Sequence, residues 1–132
     1  MVSPAPNTPP RNFEGNATSS RSISLAWDPP LFEDQNGVII SYTINVTLLE
    51  TGEEFQLSTD AHSLILDSLR PFGTYSFIIA AETVVSEGPF STALTIATPE
   101  DSKLHHYVIV NDIKSWLSGA LTLAIFSFFS SI

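Results

Sequence analysis

The stretch at residues 22–30, SISLAWDPP, decides the fold. Ile23, Leu25 and Trp27 alternate with Ser24, Ala26 and Asp28, the period-two pattern of a strand with one buried face. Pro29 and Pro30 end it, because neither can donate a backbone hydrogen bond to a neighbouring strand. A buried Trp brings roughly 150–250 Å² of surface, about 4–6 kcal/mol gross at ~25 cal/mol per Å². Small domains net only ~5–15 kcal/mol, so Trp27 is the natural centre of the core.

The same alternation recurs on both sides of this stretch. Residues 1–8 are a Pro-rich, weakly structured lead-in, and Pro9 and Pro10 open an edge strand around residues 11–17. Residues 29–37 read as a loop closed by the turn signal Asn36-Gly37. In residues 38–48, Tyr42, Ile44 and Val46 share one face, opposite Ser41, Thr43, Asn45 and Thr47. Thr51-Gly52 turns the chain into a strand at 53–58 bearing Phe55 and Leu57. Another strand follows at 63–66. At 74–81, Tyr75, Phe77, Ile79 and Ala81 share a face, and a loop at 84–91 leads to a last strand at 92–97. Seven short strands with turns between them, and no useful helical period, predict an all-β antiparallel sandwich occupying residues 9–99.

Composition narrows the function classes. The chain of 132 residues has 5 basic and 14 acidic side chains, a formal net charge of −9. Phosphate backbones and anionic lipid would be repelled, so nucleic acid is not an expected partner. The absence of cysteine removes disulfides, thiolate metal sites and Cys-based catalysis. The amino terminus has neither the basic nor the apolar region of a signal peptide.

From about residue 6 to residue 99 the chain resembles a fibronectin type III domain. The resemblance rests on Trp27 with Pro29-Pro30, then Asn36-Gly37, Ile39, Tyr42 and Ile44. It continues through Leu69, Pro71, Gly73, Tyr75, Phe77, Ile79 and Ala81 at alternate positions, then Gly88-Pro89 and Ser91. It implies a seven-stranded immunoglobulin-like sandwich. It also implies that Tyr75 forms a tyrosine corner, bonding to backbone upstream near Leu69. Thr83 stands where the family often has Asn, and Ser86 where it often has Gly. Trp27, Tyr42, Ile44, Leu69, Tyr75 and Phe77 are the expected core.

No motif for catalysis is present: there is no Gly-x-Ser-x-Gly elbow, His-Glu-x-x-His helix or phosphate-cradling glycine loop. His62 reads as an exposed loop residue, and the adjacent His105 and His106 would point oppositely on a strand. Glu33-Asp34 and Glu53-Glu54 lack calcium-loop spacing and read as a solvated acidic rim suited to a basic partner. No metal, cofactor or catalytic residue is expected. Asn16-Ala17-Thr18 and Asn45-Val46-Thr47 are sequons, which makes Asn16 and Asn45 candidate glycosylation sites. The loops at 29–37 and 84–91 should emerge at one end of the sandwich. They would present Phe32, Glu33, Asp34 and Gln35 beside Glu87 and Phe90 as a partner-binding surface.

Residues 100–115 form a polar and then apolar linker, and residues 116–132 carry no charged side chain. Seventeen helical residues would span about 25 Å, short of a ~30 Å hydrocarbon core. A membrane segment, a lipid-anchor signal and the truncated end of a longer protein remain open for this tail. The function expected is a non-catalytic interaction and spacer module of an extracellular receptor or adhesion protein, with further repeats as neighbours and a protein as partner. The resemblance extends to repeats of receptor-type tyrosine phosphatases. The alternatives are the ectodomain of a receptor phosphatase or kinase, and an intracellular scaffold module.

Overall fold

A computed structural model describes residues 5–101 of the chain. The readings of residues 102–132, including the tail at 116–132, lie outside the described residues. Seven strands form: β1 (Arg11–Ser19), β2 (Ser22–Asp28), β3 (Ile39–Leu48), β4 (Glu53–Thr59), β5 (Ser63–Leu66), β6 (Thr74–Thr83) and β7 (Leu94–Ala97). They make two antiparallel sheets, ordered β1-β2-β5 and β4-β3-β6-β7.

The alternation in the sequence is the alternation in the structure. Ile23, Leu25 and Trp27 of β2 face Tyr42, Ile44 and Val46 of β3 and Tyr75, Phe77 and Ile79 of β6 in one buried cluster. Leu69 closes that cluster near the tyrosine corner. Thr43 and Ala80, cross-strand partners on the opposite face, are buried as well. They are small side chains in the two central strands, shielded by neighbours on either side. Trp27 is only 3% exposed and sits between Phe13 and Tyr42, edge-on to each at 6.3 and 5.6 Å.

The tyrosine corner forms as the resemblance implies. Tyr75 Oη accepts the Arg70 amide at 2.8 Å, and the Leu69 amide donates to Arg21 O at 2.9 Å. Thr98 fixes the same turn: its Oγ1 accepts from Gly73 N at 2.9 Å and donates to Arg70 O at 2.8 Å.

Residues 29–37 are more than a loop. Phe32–Gln35 form a single helical turn, α1, which the left-handed Asn36 (φ 55°, ψ 32°) terminates. Glu33 and Asp34 lie in its first turn, where the exposed amides favour acidic side chains. Four residues are too few to show a helical period in sequence, which is why the turn was legible only as a break. The last strand begins at Leu94 rather than 92, because Ser91 bonds to β6 through its side chain as well as its amide. Its amide donates to Ile79 O at 2.8 Å and its Oγ accepts from Ile79 N at 3.1 Å.

The two departures from the family pattern are accommodated. Thr83 Oγ1 accepts from the amides of Val85 and Ser86, both at 3.4 Å, and the Thr83 amide donates to Ser86 O at 3.0 Å. A threonine hydroxyl thereby organises the start of the last loop. Ser86 is not among the described residues with positive φ, so a glycine is not required there.

Candidate functional site

The end of the sandwich that carries α1 is built by three segments far apart in sequence. The first is α1 with its flanks. Pro30 is fully buried and roots the turn, and Gln35 Nε2 donates to Pro30 O at 2.9 Å. The second is the amino-terminal segment at residues 5–7, held more firmly than its Pro-rich composition predicts. The Asn7 amide donates to Asp34 O at 2.7 Å, and Asn36 Nδ2 donates to Ala5 O at 2.7 Å and to Asn7 Oδ1 at 3.0 Å. The third is the loop at 84–91. A Cβ on Gly88 would lie 2.9 Å from Pro6, so this glycine is what lets the two backbones approach.

The residues of the expected surface fall in different settings. Phe32 is 86% exposed and Glu33 is exposed, as a partner contact requires. Asp34 and Gln35 are half-buried, and their hydrogen bonds hold the turn. Glu87 is exposed and its backbone makes an isolated antiparallel bridge to that of Glu82 in β6, while Phe90 is half-buried. Neither Glu87 nor Phe90 lines the cleft that Phe32 borders. The amino-terminal segment bonds to α1 through Asn7 and packs on the other loop at Gly88.

The cleft beside Phe32 is open and has a volume of ≈ 700 Å³. Phe32, Glu33 and Gln35 of α1 line it, together with Val38 just before β3 and Ile40 and the buried Tyr42 at the start of β3. Asp60 and His62, from the connection between β4 and β5, close the far side. His62 is exposed and lies edge-on to Tyr42 at 5.7 Å. Its carbonyl accepts the Trp27 amide at 3.0 Å, which ties this connection to the central strand of the other sheet. Burial holds the Tyr42 hydroxyl above its ordinary value of 10.0, and the negative Asp28 adds to that rise. Sequence reading did not assemble this wall, because residues 32–42 and 60–62 meet only once the sandwich closes. The one available signal was the run of exposed apolar residues after Gly37.

The sequons fall in different settings. Asn16 is exposed on β1, an edge strand, and its Nδ2 donates to Ala17 O at 3.3 Å. Asn45 is half-buried on β3 between β4 and β6, and its Oδ1 accepts from Gln56 Nε2 at 2.8 Å. Among the described residues, no three His, Asp or Glu side chains gather as a metal-binding group.

Two stacked antiparallel sheets with a tyrosine corner, presenting loops at their ends, define an immunoglobulin-like β-sandwich. Residues 8–97 match the model of the fibronectin type III domain, and the chain belongs to that family. It is 40% identical over 100 residues to the tyrosine-protein phosphatase Lar of Drosophila melanogaster, covering 73% of this chain and 5% of that one. It is 33% identical over 104 residues to the cell adhesion molecule DSCAM of Rattus norvegicus, covering 74% of this chain and 5% of that one. The crystal structure of the FN5 domain of Drosophila Lar superposes with a TM-score of 0.59 at 29% identity, covering 72% of this chain and 98% of that domain. The chain thus spans about one twentieth of the length of the curated relatives it matches.

Proposed function

We propose that this chain is a non-catalytic interaction and spacer module of a cell-surface receptor or adhesion protein. The observation that carries the reading is the rigid display of an exposed aromatic. Phe32 stands 86% exposed on a turn whose flanks are held by Asn7, Gln35 and Asn36. An ordinary mobile loop would lose entropy on binding that a fixed turn has already lost in folding. The identity to Lar and DSCAM repeats supports the cell-surface setting, and Lar favours a receptor-type tyrosine phosphatase as the parent. Neighbouring repeats would then be joined end to end with this one.

The Asn16 sequon fits the same setting. A glycan there would leave the core untouched and would shield an edge strand from pairing with other chains. Asn45 is the poorer acceptor, since its side chain is engaged with Gln56 in mid-sheet.

One preparation tests both points: the full chain secreted from mammalian cells behind an added signal peptide. Peptide mapping should find glycan at Asn16 and little at Asn45. Multivalent beads carrying the chain should bind cells, and Phe32→Ala should abolish that binding with melting changed by no more than about ±0.5 kcal/mol. Undiminished binding by Phe32→Ala would reject the surface.

A further inference from the structure

The cleft beside α1 has a chemistry that specifies its occupant more narrowly than protein–protein contact in general. Its walls combine two exposed rings, Phe32 and His62, with two carboxylates, Glu33 and Asp60, over the buried Tyr42. Among the described residues no Lys or Arg lines it, while Arg11 Nε donates to the carbonyl of the lining Pro29 at 2.8 Å. A third carboxylate, Asp28, lies close enough to act on the Tyr42 hydroxyl. The apolar rim is uncovered: Phe32 is 86%, Val38 79% and Ile40 47% exposed. Uncovered apolar surface of this kind, contiguous with a concave site, marks a surface that a partner buries.

We infer that this cleft receives a basic, partly apolar segment of a protein partner, seating an arginine among the Phe32 and His62 rings and the Glu33 and Asp60 carboxylates. The inference rests on the interaction-module reading above and names the chemistry of its partner. A guanidinium satisfies both wall types at once. Its flat face stacks on aromatic rings while its edge donates hydrogen bonds to carboxylates, which a lysine ammonium does less well. An aliphatic residue next to that arginine would cover Val38 and Ile40. The volume of ≈ 700 Å³ is that of a site for a few side chains, larger than one residue fills.

Charge also decides among occupants. A second copy of this chain would bring its own formal −9 against an acidic cleft, and a polyanion would meet the same repulsion. A basic segment is drawn in from a distance, with an association rate that falls as salt is added.

The test uses the full chain, isotope-labelled, titrated with two peptides while amide shifts are followed. One is Gly-Leu-Arg-Leu-Arg-Gly. The other replaces each arginine by citrulline, which keeps the shape and removes the charge. The arginine peptide should shift the amides of Val38, Asp60 and His62 saturably, and citrulline should weaken binding about tenfold or more. Raising salt from about 50 to 300 mM should weaken the arginine peptide several-fold and leave the citrulline peptide unchanged. Asp60→Asn and Glu33→Gln should each weaken binding about fivefold, and Glu53→Gln, outside this cleft, should not. Equal binding of the citrulline peptide overturns the inference. So does an equal effect of Glu53→Gln, which would mean attraction to overall charge. Absence of saturable shifts up to about 2 mM peptide overturns it as well. If Phe32→Ala still abolishes cell binding in that case, the interaction reading stands and only the arginine assignment falls.

Discussion

Trp27 shows how one residue can organise a domain while leaving a polar atom unsatisfied. Its indole Nε1 is buried and is the one buried side-chain polar atom among the described residues without a hydrogen-bond partner. The ring's apolar area and its edge-on contacts with Phe13 and Tyr42 outweigh that defect. Trp27→Ala should therefore cost about 3–5 kcal/mol and unfold the domain or nearly so. Trp27→Phe should cost clearly less, because it removes the unpaired donor along with part of the volume. Denaturant melts of the two variants check this, and equal losses would mean that the indole nitrogen matters more than its isolation suggests. The core residues were legible in sequence because strand alternation exposes them directly. Tyr42, Ile44, Tyr75 and Phe77 are buried on β3 and β6 as their alternation requires, and Leu69, outside the strands, is buried where the family resemblance implies. The role of His62 was not legible, since nothing local to an exposed loop histidine announces that its ring will meet Tyr42.

At the scale of elements, boundaries followed turn chemistry and packing followed close approach. Gly15 lies inside β1, where a side chain is normally better than none. A Cβ there would meet Ser24 O at 2.5 Å, Leu25 Cδ2 at 2.7 Å and Ile96 Cδ1 at 3.0 Å. Gly15→Ala should accordingly destabilise by about 1–3 kcal/mol through overpacking between β1, β2 and β7, read from a thermal melt. The turn between β3 and β4 carries a different device. Glu50 Oε1 accepts the Thr74 amide at 2.9 Å, and that bond holds the carboxylate below its ordinary value of 4.5. A lowered folded value means a stabilising contribution present above the unfolded carboxylate's titration and lost as pH falls through the folded one. Melting temperatures of wild type and Glu50→Gln should thus differ near neutrality and converge in acid. The helical turn α1 escaped sequence reading for a physical reason. Its four residues span barely one turn, and its stability comes from Pro30, Asn7 and Asn36 rather than from its own propensities.

Across the whole molecule, one end of the sandwich is stapled by the chain's own amino-terminal segment. Proline-rich composition ordinarily signals a free linker, yet the segment at 5–7 bonds to α1 and packs against Gly88. That tethering fixes the turn that displays Phe32, and it frames the acidic, aromatic cleft beside it. Sequence reading placed Phe32 and Glu33 on a loop at one end of the sandwich, and both are exposed there. It paired them with Glu87 and Phe90, because loop adjacency is a property of the fold's ends and says nothing of what lies between. The rigidity of α1 can be read from amide hydrogen exchange. The amides of Asn7, Asp34 and Gly88 should exchange far more slowly than those of a free peptide, by about a hundredfold or more. Exchange of Asn7 and Asp34 at free-peptide rates would mean an untethered, mobile loop, and the rigid display on which the proposed recognition depends would be contradicted.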